Sequence, residues 1–296
     1  MGGMSKLLAV CVAIVVAVTG SAQPAFAIAN GENAREGAYP FAVLLTMTGL
    51  PAADGGTRDS SCSGALIDPR WVITAGHCFR DGAGKRVSRT VAGRTTAIIG
   101  RTEVKGTGGH EVEVVGVKQS QTTDVALAEL AEPVKGIKPL RVGTVPPDVG
   151  TKLRLTGFGL IARDGGYVPA TRLQTGRFVI DAVGDSLIET SGRAPHADTS
   201  PCPHDSGGPY FTESRSAGPE LVAVVSSGPG CPHTGPDLSA RTDNISDWIA
   251  ATVDGSGTLP LKPILAGVAG LLTLLVLGVL QALRRRRPAT RAVSFT

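Results

Sequence analysis

A serine in a glycine-rich segment is the first residue of this sequence with an evident chemical use. Residues 202–209 read Cys-Pro-His-Asp-Ser-Gly-Gly-Pro, so Ser206 is followed directly by two glycines. In such a tight turn a hydroxyl can stand clear of the chain, and backbone N–H groups can point at one spot. The segment therefore favours a nucleophilic serine.

A nucleophilic serine needs a base, and His77 is the best-placed histidine. It follows the apolar run 71–76 and precedes Cys78, which would hold its loop. A carboxylate is then needed to hold the imidazole, and Asp124 opens the otherwise apolar run 124–130. Taken singly, each residue also has a structural interpretation, as a turn serine, a core histidine and an aspartate at the end of a strand.

The sequence offers no pattern for a metal ion or another cofactor. It has no His-Glu-x-x-His motif, and no two cysteines have the close spacing of a zinc knuckle. We therefore expect no metal and no cofactor, and a metal-dependent hydrolase is disfavoured.

Apolar runs separated by turns indicate that β-strands position these side chains. Residues 111–114 and 152–155 alternate polar with apolar, which is the period of a strand with one buried face. The chain's 39 glycines and 20 prolines supply the turns, and 42% hydrophobic with 18% charged residues excludes disorder for most of it. The predicted strands are 41–47, 65–74, 111–117, 124–130, 152–157, 172–183 and 221–227. Only residues 243–252 read as a helix, with Asp243 or Asn244 as its cap.

The amino-terminal residues 1–27 have the pattern of a secretory signal peptide. Lys6 precedes an apolar run over residues 7–18, and Ala25-Phe26-Ala27 fits the small-x-small site that a signal peptidase cuts. Cleavage there would make Ile28 the new amino terminus. The alternative is an uncleaved anchor helix, but this apolar run is too short to span a membrane comfortably.

The carboxy-terminal region predicts a membrane anchor. Residues 263–283 carry no charge and as a helix would reach about 31 Å, which matches a bilayer core. Four arginines follow at 284–287, and the positive-inside rule then places the tail 284–296 in the cytoplasm. Residues 254–262 read as a linker. We expect a single-pass protein of the cell membrane with its main domain outside; a buried soluble helix is the alternative.

The charge distribution gives no reason to expect nucleic-acid binding. The whole chain has a formal charge of +4, but all 25 acidic residues and only 22 of the 29 basic residues lie between residues 28 and 261. That segment therefore carries about three net negative charges, because the excess of basic residues is confined to the two ends.

Cysteine usage agrees with an exported domain. Cys11 would leave with the signal peptide, and the four remaining cysteines form an even number: Cys62, Cys78, Cys202 and Cys231. Sequence alone permits three pairings of four cysteines. Short separation in the sequence favours one disulfide bond between Cys62 and Cys78 and another between Cys202 and Cys231.

Together the three catalytic-type segments resemble the trypsin-like (chymotrypsin-fold) serine peptidases. Residues 74–78 (Thr-Ala-Gly-His-Cys) are similar to the family's histidine motif, 124–127 (Asp-Val-Ala-Leu) to its aspartate motif and 205–209 (Asp-Ser-Gly-Gly-Pro) to its serine motif. Supporting matches are 63–67, 157–159, 225–228 and 247–249. The resemblance runs from Ile28 to about Ala251 and implies an all-β fold over residues 28–253. That fold has two six-stranded antiparallel β-barrels, a C-terminal helix and the site between the barrels, and the favoured disulfide pairings follow from it.

The resemblance also implies a mechanism for a serine endopeptidase. Ser206 would attack a peptide carbonyl, His77 would take and return the proton, and Asp124, hydrogen-bonded by Ser226, would orient the imidazole. The N–H groups of Ser206 and His204 would form the oxyanion hole.

His204 departs from the family pattern, because that position is almost always glycine. With Ser227, where many relatives have tryptophan, it motivates an alternative function: a catalytically weak or inactive binding protein on a peptidase fold. If the turn holds its shape, the side chain is expected to project over the substrate cleft.

Two further sets of residues follow from the resemblance. A freed Ile28 would insert beside Asp205 and so form the oxyanion turn, with no separate zymogen step. The substrate pocket would comprise Ser200, Ser226, Ser227, Gly228, Gly230 and Asp237. Ser200 stands where trypsin has aspartate, but Asp237 could receive an Arg or Lys side chain from the opposite wall, so we expect a weak preference for a basic residue before the scissile bond.

The remaining expectations concern the setting. The abundance of Ala, Gly, Arg and Val with few lysines fits a bacterium with a GC-rich genome. The partners we expect are protein or peptide substrates at the outer membrane face and the bilayer itself.

Overall fold

The computed structural model describes residues 27–52, 54–163, 166–214 and 216–255, and strands dominate them. The strands of the first half are β1 Glu32–Asn33, β2 Ala42–Pro51, β3 Thr57–Asp68, β4 Trp71–Ala75, β5 Arg94–Ile99, β6 His110–Gln119 and β7 Val125–Leu130. Those of the second half are β8 Arg141–Val142, β9 Lys152–Gly157, β10 Leu160–Arg163, β11 Gly166–Pro169, β12 Gln174–Val183, β13 Leu187–Ala194, β14 Pro209–Ser214, β15 Gly218–Ser227 and β16 Asp237–Arg241.

The first barrel closes in the order β2-β3-β4-β7-β6-β5, and every neighbouring pair is antiparallel. Alternation in β6 buries Val112 and Val114 while Glu111 and Glu113 face solvent, as the sequence pattern predicts. All five residues of β4 are buried. A strand buried on both faces reads as a continuous apolar run, which explains the composition of this segment.

The second barrel closes in the order β9-β12-β13-β16-β15-β14, because β9 pairs with both β12 and β14. Its core contains Phe178 and Tyr210, whose rings meet edge to face at 5.1 Å. Strand β1 adds to β12, and β8 runs parallel to β15. The predicted architecture of two six-stranded antiparallel barrels is therefore confirmed.

The predicted elements differ from the observed ones in their boundaries and number. The run 65–74 is two strands, because the chain turns at Pro69-Arg70 between β3 and β4. The sequence analysis did not predict eight of the observed strands, namely β1, β5, β8, β10, β11, β13, β14 and β16. The predicted helix 243–252 is a short 3₁₀ turn at Asp243–Ile245 followed by α1, Ser246–Val253. Asp243 does not cap it, since its carboxylate pairs with Arg241.

Two disulfides connect the segments that carry the candidate site residues. Cys62 in β3 is bonded to Cys78, and Cys202 is bonded to Cys231. Both favoured pairings are confirmed. The first bond holds the turn that contains His77, and the second joins the segment before Ser206 to the loop that precedes β16.

The predicted terminal segments lie almost entirely outside the described residues. Only Ala27 of the predicted signal peptide and residues 254–255 of the predicted linker are described. Within the described part of the chain, no helix is both long and apolar enough to cross a membrane.

Removing the Cys62–Cys78 bond is expected to destabilise the first barrel. The bond closes a loop across a sequence separation of 16, so the double variant Cys62→Ser/Cys78→Ser should lose about 3 kcal/mol of unfolding free energy. Urea denaturation of the two proteins measures this. An unchanged denaturation midpoint would contradict the expectation.

Candidate active site

The pairing of two strands brings His77 and Asp124 together. Strand β4 ends at Ala75, which lies opposite Val125 at the start of β7. The 3₁₀ turn Gly76–Cys78 then directs His77 toward Asp124. His77 Nδ1 lies 2.7 Å from Asp124 Oδ2, and the backbone N–H of His77 donates to Oδ1 at 2.9 Å. Two contacts from one residue fix both oxygens of the carboxylate.

Ser206 reaches the same histidine from the second barrel. It lies in the turn just before β14, and its Oγ is 2.8 Å from His77 Nε2. The backbone N–H of Ser63 in β3 donates to the Ser206 carbonyl at 2.9 Å, which ties the turn to the first barrel. The three side chains therefore form one hydrogen-bonded chain across the crevice between the barrels.

Asp124 is held as a carboxylate by its neighbours. Burial raises the pKa of its carboxyl, but the hydrogen bonds and charge of His77, with a 2.8 Å bond from Ser226 Oγ to Oδ2, outweigh burial and leave the pKa below 3.8. Arg86 Nη1 lies 3.4 Å from the other oxygen, Oδ1. An ionised Asp124 can stabilise a positive charge on the imidazole.

The serine turn contains two N–H groups without an acceptor among the described residues. The carbonyl of Pro203 accepts from Leu160 N at 2.7 Å, so the N–H of His204, in the same trans peptide unit, points the opposite way. Among the described residues, neither this N–H nor that of Ser206 has an acceptor. Both N–H groups are therefore available to an acceptor from outside the described chain, which is a requirement for an oxyanion hole.

His204 adopts the conformation that a glycine would take. Its φ of +74° lies in the left-handed region, which costs a residue with a side chain about 1–2 kcal/mol. The ring is held by a 2.7 Å hydrogen bond between Nδ1 and Ser61 Oγ, and Ser63 Oγ donates to the His204 carbonyl at 3.1 Å. Burial and the charge of Arg58 lower the pKa of the His204 imidazole. The half-buried ring is thus bonded to β3 and lines a cavity of about 380 Å³ beside the site.

Asp205 is buried completely beneath this turn. Its Oδ1 accepts from Gly159 N at 2.8 Å and its Oδ2 from Cys202 N at 2.9 Å. Gly157 and Gly159 must be glycine, because a Cβ at either would lie 2.0 or 2.4 Å from the carboxylate. Burial raises the pKa of Asp205 to about 8, although the two backbone hydrogen bonds oppose the shift.

Ile28 is buried in the core of the second barrel, but it forms no ion pair with Asp205 in the described chain. Ala29 forms a bridge with Ser200, two residues before Cys202. Ile28 is still joined to Ala27, and the described residues contain no ion pair to Asp205.

The predicted pocket residues surround a cavity next to Ser206. Five of the six predicted residues line this cavity of about 170 Å³, namely Ser226, Ser227, Gly228, Gly230 and Asp237. We call this cavity the specificity pocket. Ser200 lies behind it, and its Oγ accepts from His233 N at 3.2 Å. Burial raises the pKa of Asp237 to about 6, against the charge and hydrogen bond of His233.

A sequence profile described as Trypsin matches residues 28–249, which is most of the chain. The chain belongs to the trypsin family of serine peptidases. It is 29% identical to mouse serine protease 56 over 249 residues, covering 75% of this chain and 38% of that protein. It is 28% identical to human serine protease 56 over 258 residues, covering 78% and 39% respectively. The chain thus spans less than two-fifths of the length of these curated relatives.

Three residues of this trypsin-family site escaped the sequence interpretation. Arg86 contacts Asp124, Ser61 holds the ring of His204, and the Nε2 of His233 lies 3.1 Å from Asp237 Oδ1. The signal for His233 was available, since it precedes Asp237 by four residues in a short loop after Cys231. Arg86 and Ser61 are brought to the site by tertiary folding alone. The described residues contain no cluster of His, Cys, Asp and Glu that could hold a metal ion.

Burial of Asp205 predicts a pH-dependent stability for a peptidase-domain chain that retains Ala27. The unfolded chain releases this proton near pH 3.8, whereas the folded chain keeps it up to about pH 8, so stability falls as pH rises between these values. The loss attributable to this one group is on the order of 5 kcal/mol. Urea denaturation between pH 4 and 8 measures it.

The matched control for this experiment is Asp205→Asn, which has no proton to release. The difference in unfolding free energy between the parent and this variant should change steadily with pH. A difference that stays constant across the range would show that Asp205 does not hold its proton in the folded chain.

Proposed function

We propose that this trypsin-family protein is an active serine endopeptidase. The continuous chain of hydrogen bonds from Asp124 through His77 to Ser206, with contacts of 2.7 and 2.8 Å, is the observation that supports the proposal most strongly. These distances are within reach for direct proton transfer from the hydroxyl to the imidazole.

The proposed mechanism is acyl transfer in two steps. Ser206 Oγ attacks the carbonyl carbon of a peptide bond while its proton passes to His77 Nε2. The negative oxygen of the tetrahedral intermediate accepts from the N–H groups of His204 and Ser206, and Asp124 stabilises the imidazolium. His77 then protonates the leaving amine, and water releases the acyl group by the same route in reverse.

The geometry of the serine turn favours an enzyme over an inactive binding protein. His204 adopts a positive φ and leaves its N–H without an acceptor in the described residues, which is what an oxyanion donor requires. The side chain that distinguishes this turn from the family pattern is accommodated by Ser61 rather than by a rearranged backbone.

We also propose that full activity needs a free amino group at Ile28. The buried Asp205 has two backbone donors but no cation among its described neighbours. An ammonium group from Ile28 would supply that charge and would favour the ionised carboxylate. Cleavage after Ala27, as the sequence pattern predicts, would release this group.

A preference for Arg or Lys before the scissile bond is proposed from Asp237. Its carboxylate lines the specificity pocket, is 2% exposed and has one oxygen, Oδ2, without a hydrogen-bond partner in the described part of the chain. A guanidinium or ammonium group in this pocket would pair with the charge of the Asp237 carboxylate.

The membrane setting is proposed from the sequence alone. The signal-like residues 1–27 and the uncharged run 263–283 followed by arginines support export and anchoring. A tethered peptidase domain would act on exported proteins or peptides near the outer membrane face.

Fluorophosphonate labelling tests the proposed activity. A protein beginning at Ile28 and ending at Leu261 is expected to gain one adduct by intact mass, and the variants Ser206→Ala and His77→Ala should gain none. Loss of labelling in Ser206→Ala would show that the adduct is on Ser206. Loss of labelling in His77→Ala would show that His77 activates this serine. A folded protein with the correct amino terminus and no adduct would favour the binding-protein alternative.

The pocket assignment predicts the effect of Asp237→Asn. Two peptide substrates that differ only in Arg or Phe before the scissile bond give a ratio of kcat/KM values. Removing the charge should lower the Arg to Phe ratio by about tenfold or more, because a charge-assisted bond is replaced by a neutral one. An unchanged ratio would contradict the assignment of Asp237 to substrate recognition.

A further inference from the structure

His233 contacts Asp237, which lines the specificity pocket, but does not line that pocket itself. We infer that His233 is a positioning residue for substrate recognition, which orients the Asp237 side chain and keeps it ionised for an incoming Arg or Lys side chain. This inference rests on the proposed preference for basic residues. It assigns that preference to a pair of residues rather than to one aspartate.

The two carboxylate oxygens of Asp237 have different environments. Oδ1 lies 3.1 Å from His233 Nε2, whereas Oδ2 is buried and has no partner among the described residues. The Gly228 backbone packs against Oδ1, since a Cβ there would lie 1.9 Å from that oxygen. The carboxylate is therefore held through Oδ1, while Oδ2 is enclosed by the protein.

The position of His233 is itself fixed by three contacts. Its loop begins at Cys231, which is bonded to Cys202, and its backbone N–H donates to Ser200 Oγ at 3.2 Å. Its second ring nitrogen, Nδ1, lies 3.4 Å from the Thr234 carbonyl. Both ring nitrogens of His233 thus have an oxygen atom as a neighbour.

His233 does not line the pocket, and its side chain is only 10% exposed. A substrate side chain in the pocket would therefore contact Asp237 and not His233. His233 would act on the substrate only through its hydrogen bond to Asp237. A buried carboxylate with no donor or cation would take up a proton, because ionisation in a site shielded from water is costly. The histidine supplies both the donor and the charge that oppose this.

The electrostatic effects on Asp237 agree with this role. Burial raises the pKa of Asp237, and the charge of His233 followed by its hydrogen bond lowers it, with a net value of about 6. The other titratable groups affected by the charge of Asp237 are Asp205 and Tyr210, and neither is a cation. Without His233 the pKa of Asp237 would rise further, and the side chain would be a neutral acid near pH 7.

The inference predicts how the Arg to Phe ratio of kcat/KM depends on pH. The ratio removes the titration of the triad, which both substrates share. In the parent enzyme it should fall as pH decreases through about 6, because Asp237 loses its charge there. In His233→Gln the midpoint should move up by about one pH unit or more, and the ratio at pH 6.5 should drop about threefold or more. At pH 9 the Arg to Phe ratio of the variant should return to the value of the parent enzyme.

The controls separate this effect from a general disturbance. His233→Asn is a second variant for which we expect the same upward shift of the midpoint. Partial unfolding of a variant would not change the Arg to Phe ratio, because both kcat/KM values fall by the same factor. His196→Gln removes an exposed histidine from the surface and should leave the ratio and its midpoint unchanged. Asp237→Asn should give a low ratio that does not vary with pH.

Three results would overturn the inference, and they differ in what else they reject. If the parent enzyme shows no preference for Arg at any pH, the proposed pocket assignment fails as well. If Asp237→Asn abolishes a clear preference but the His233 variants keep the parent midpoint, only the role of His233 is rejected. If the His233 variants have a higher ratio at pH 6.5, the imidazolium competes with the substrate rather than supporting the aspartate.

Discussion

The buried carboxylate of Asp205 is the constraint around which the site is built. A polar group without access to water needs hydrogen-bond partners, and for Asp205 these are the N–H groups of Gly159 and Cys202. The carboxylate can reach these donors only because residues 157 and 159 are glycines, which leave space for it. The turn immediately above then has little freedom, so the position of Ser206 follows from the way the preceding residue is buried.

The two barrels contribute different parts of the site, and each part is fixed by the regular pairing of strands. The register of β4 with β7 brings His77 to Asp124. From the second barrel, Ser206 in the turn before β14 and Ser226 in β15 reach the same point. Side chains that must meet within hydrogen-bond distance are thereby mounted on rigid elements. The loops that follow these strands are free to determine which substrates enter.

Much of this arrangement could be predicted from the sequence, since the motifs around His77, Asp124 and Ser206 are local and specific. The strands that the sequence failed to predict, such as β5 and β13, are short or carry several polar residues and glycine, so their apolar signal is weak. Arg86 and Ser61 were missed because they touch the site only after distant segments have packed together. For Asp237 the sequence predicted a role in the pocket, but its burial and its contact with His233 depend on the fold of the preceding loop.

The hydrogen bond between Ser61 and His204 crosses from the first barrel to the second. Two bodies that flank a crevice normally have some freedom to hinge against each other. In this protein a hinge motion would pull on the ring of His204 and so disturb the peptide unit that carries its N–H. If that N–H serves as the proposed oxyanion donor, the stiffness of the joint between the barrels and the alignment of this donor depend on the same hydrogen bond, and a distant substitution that loosens the joint would lower the reaction rate.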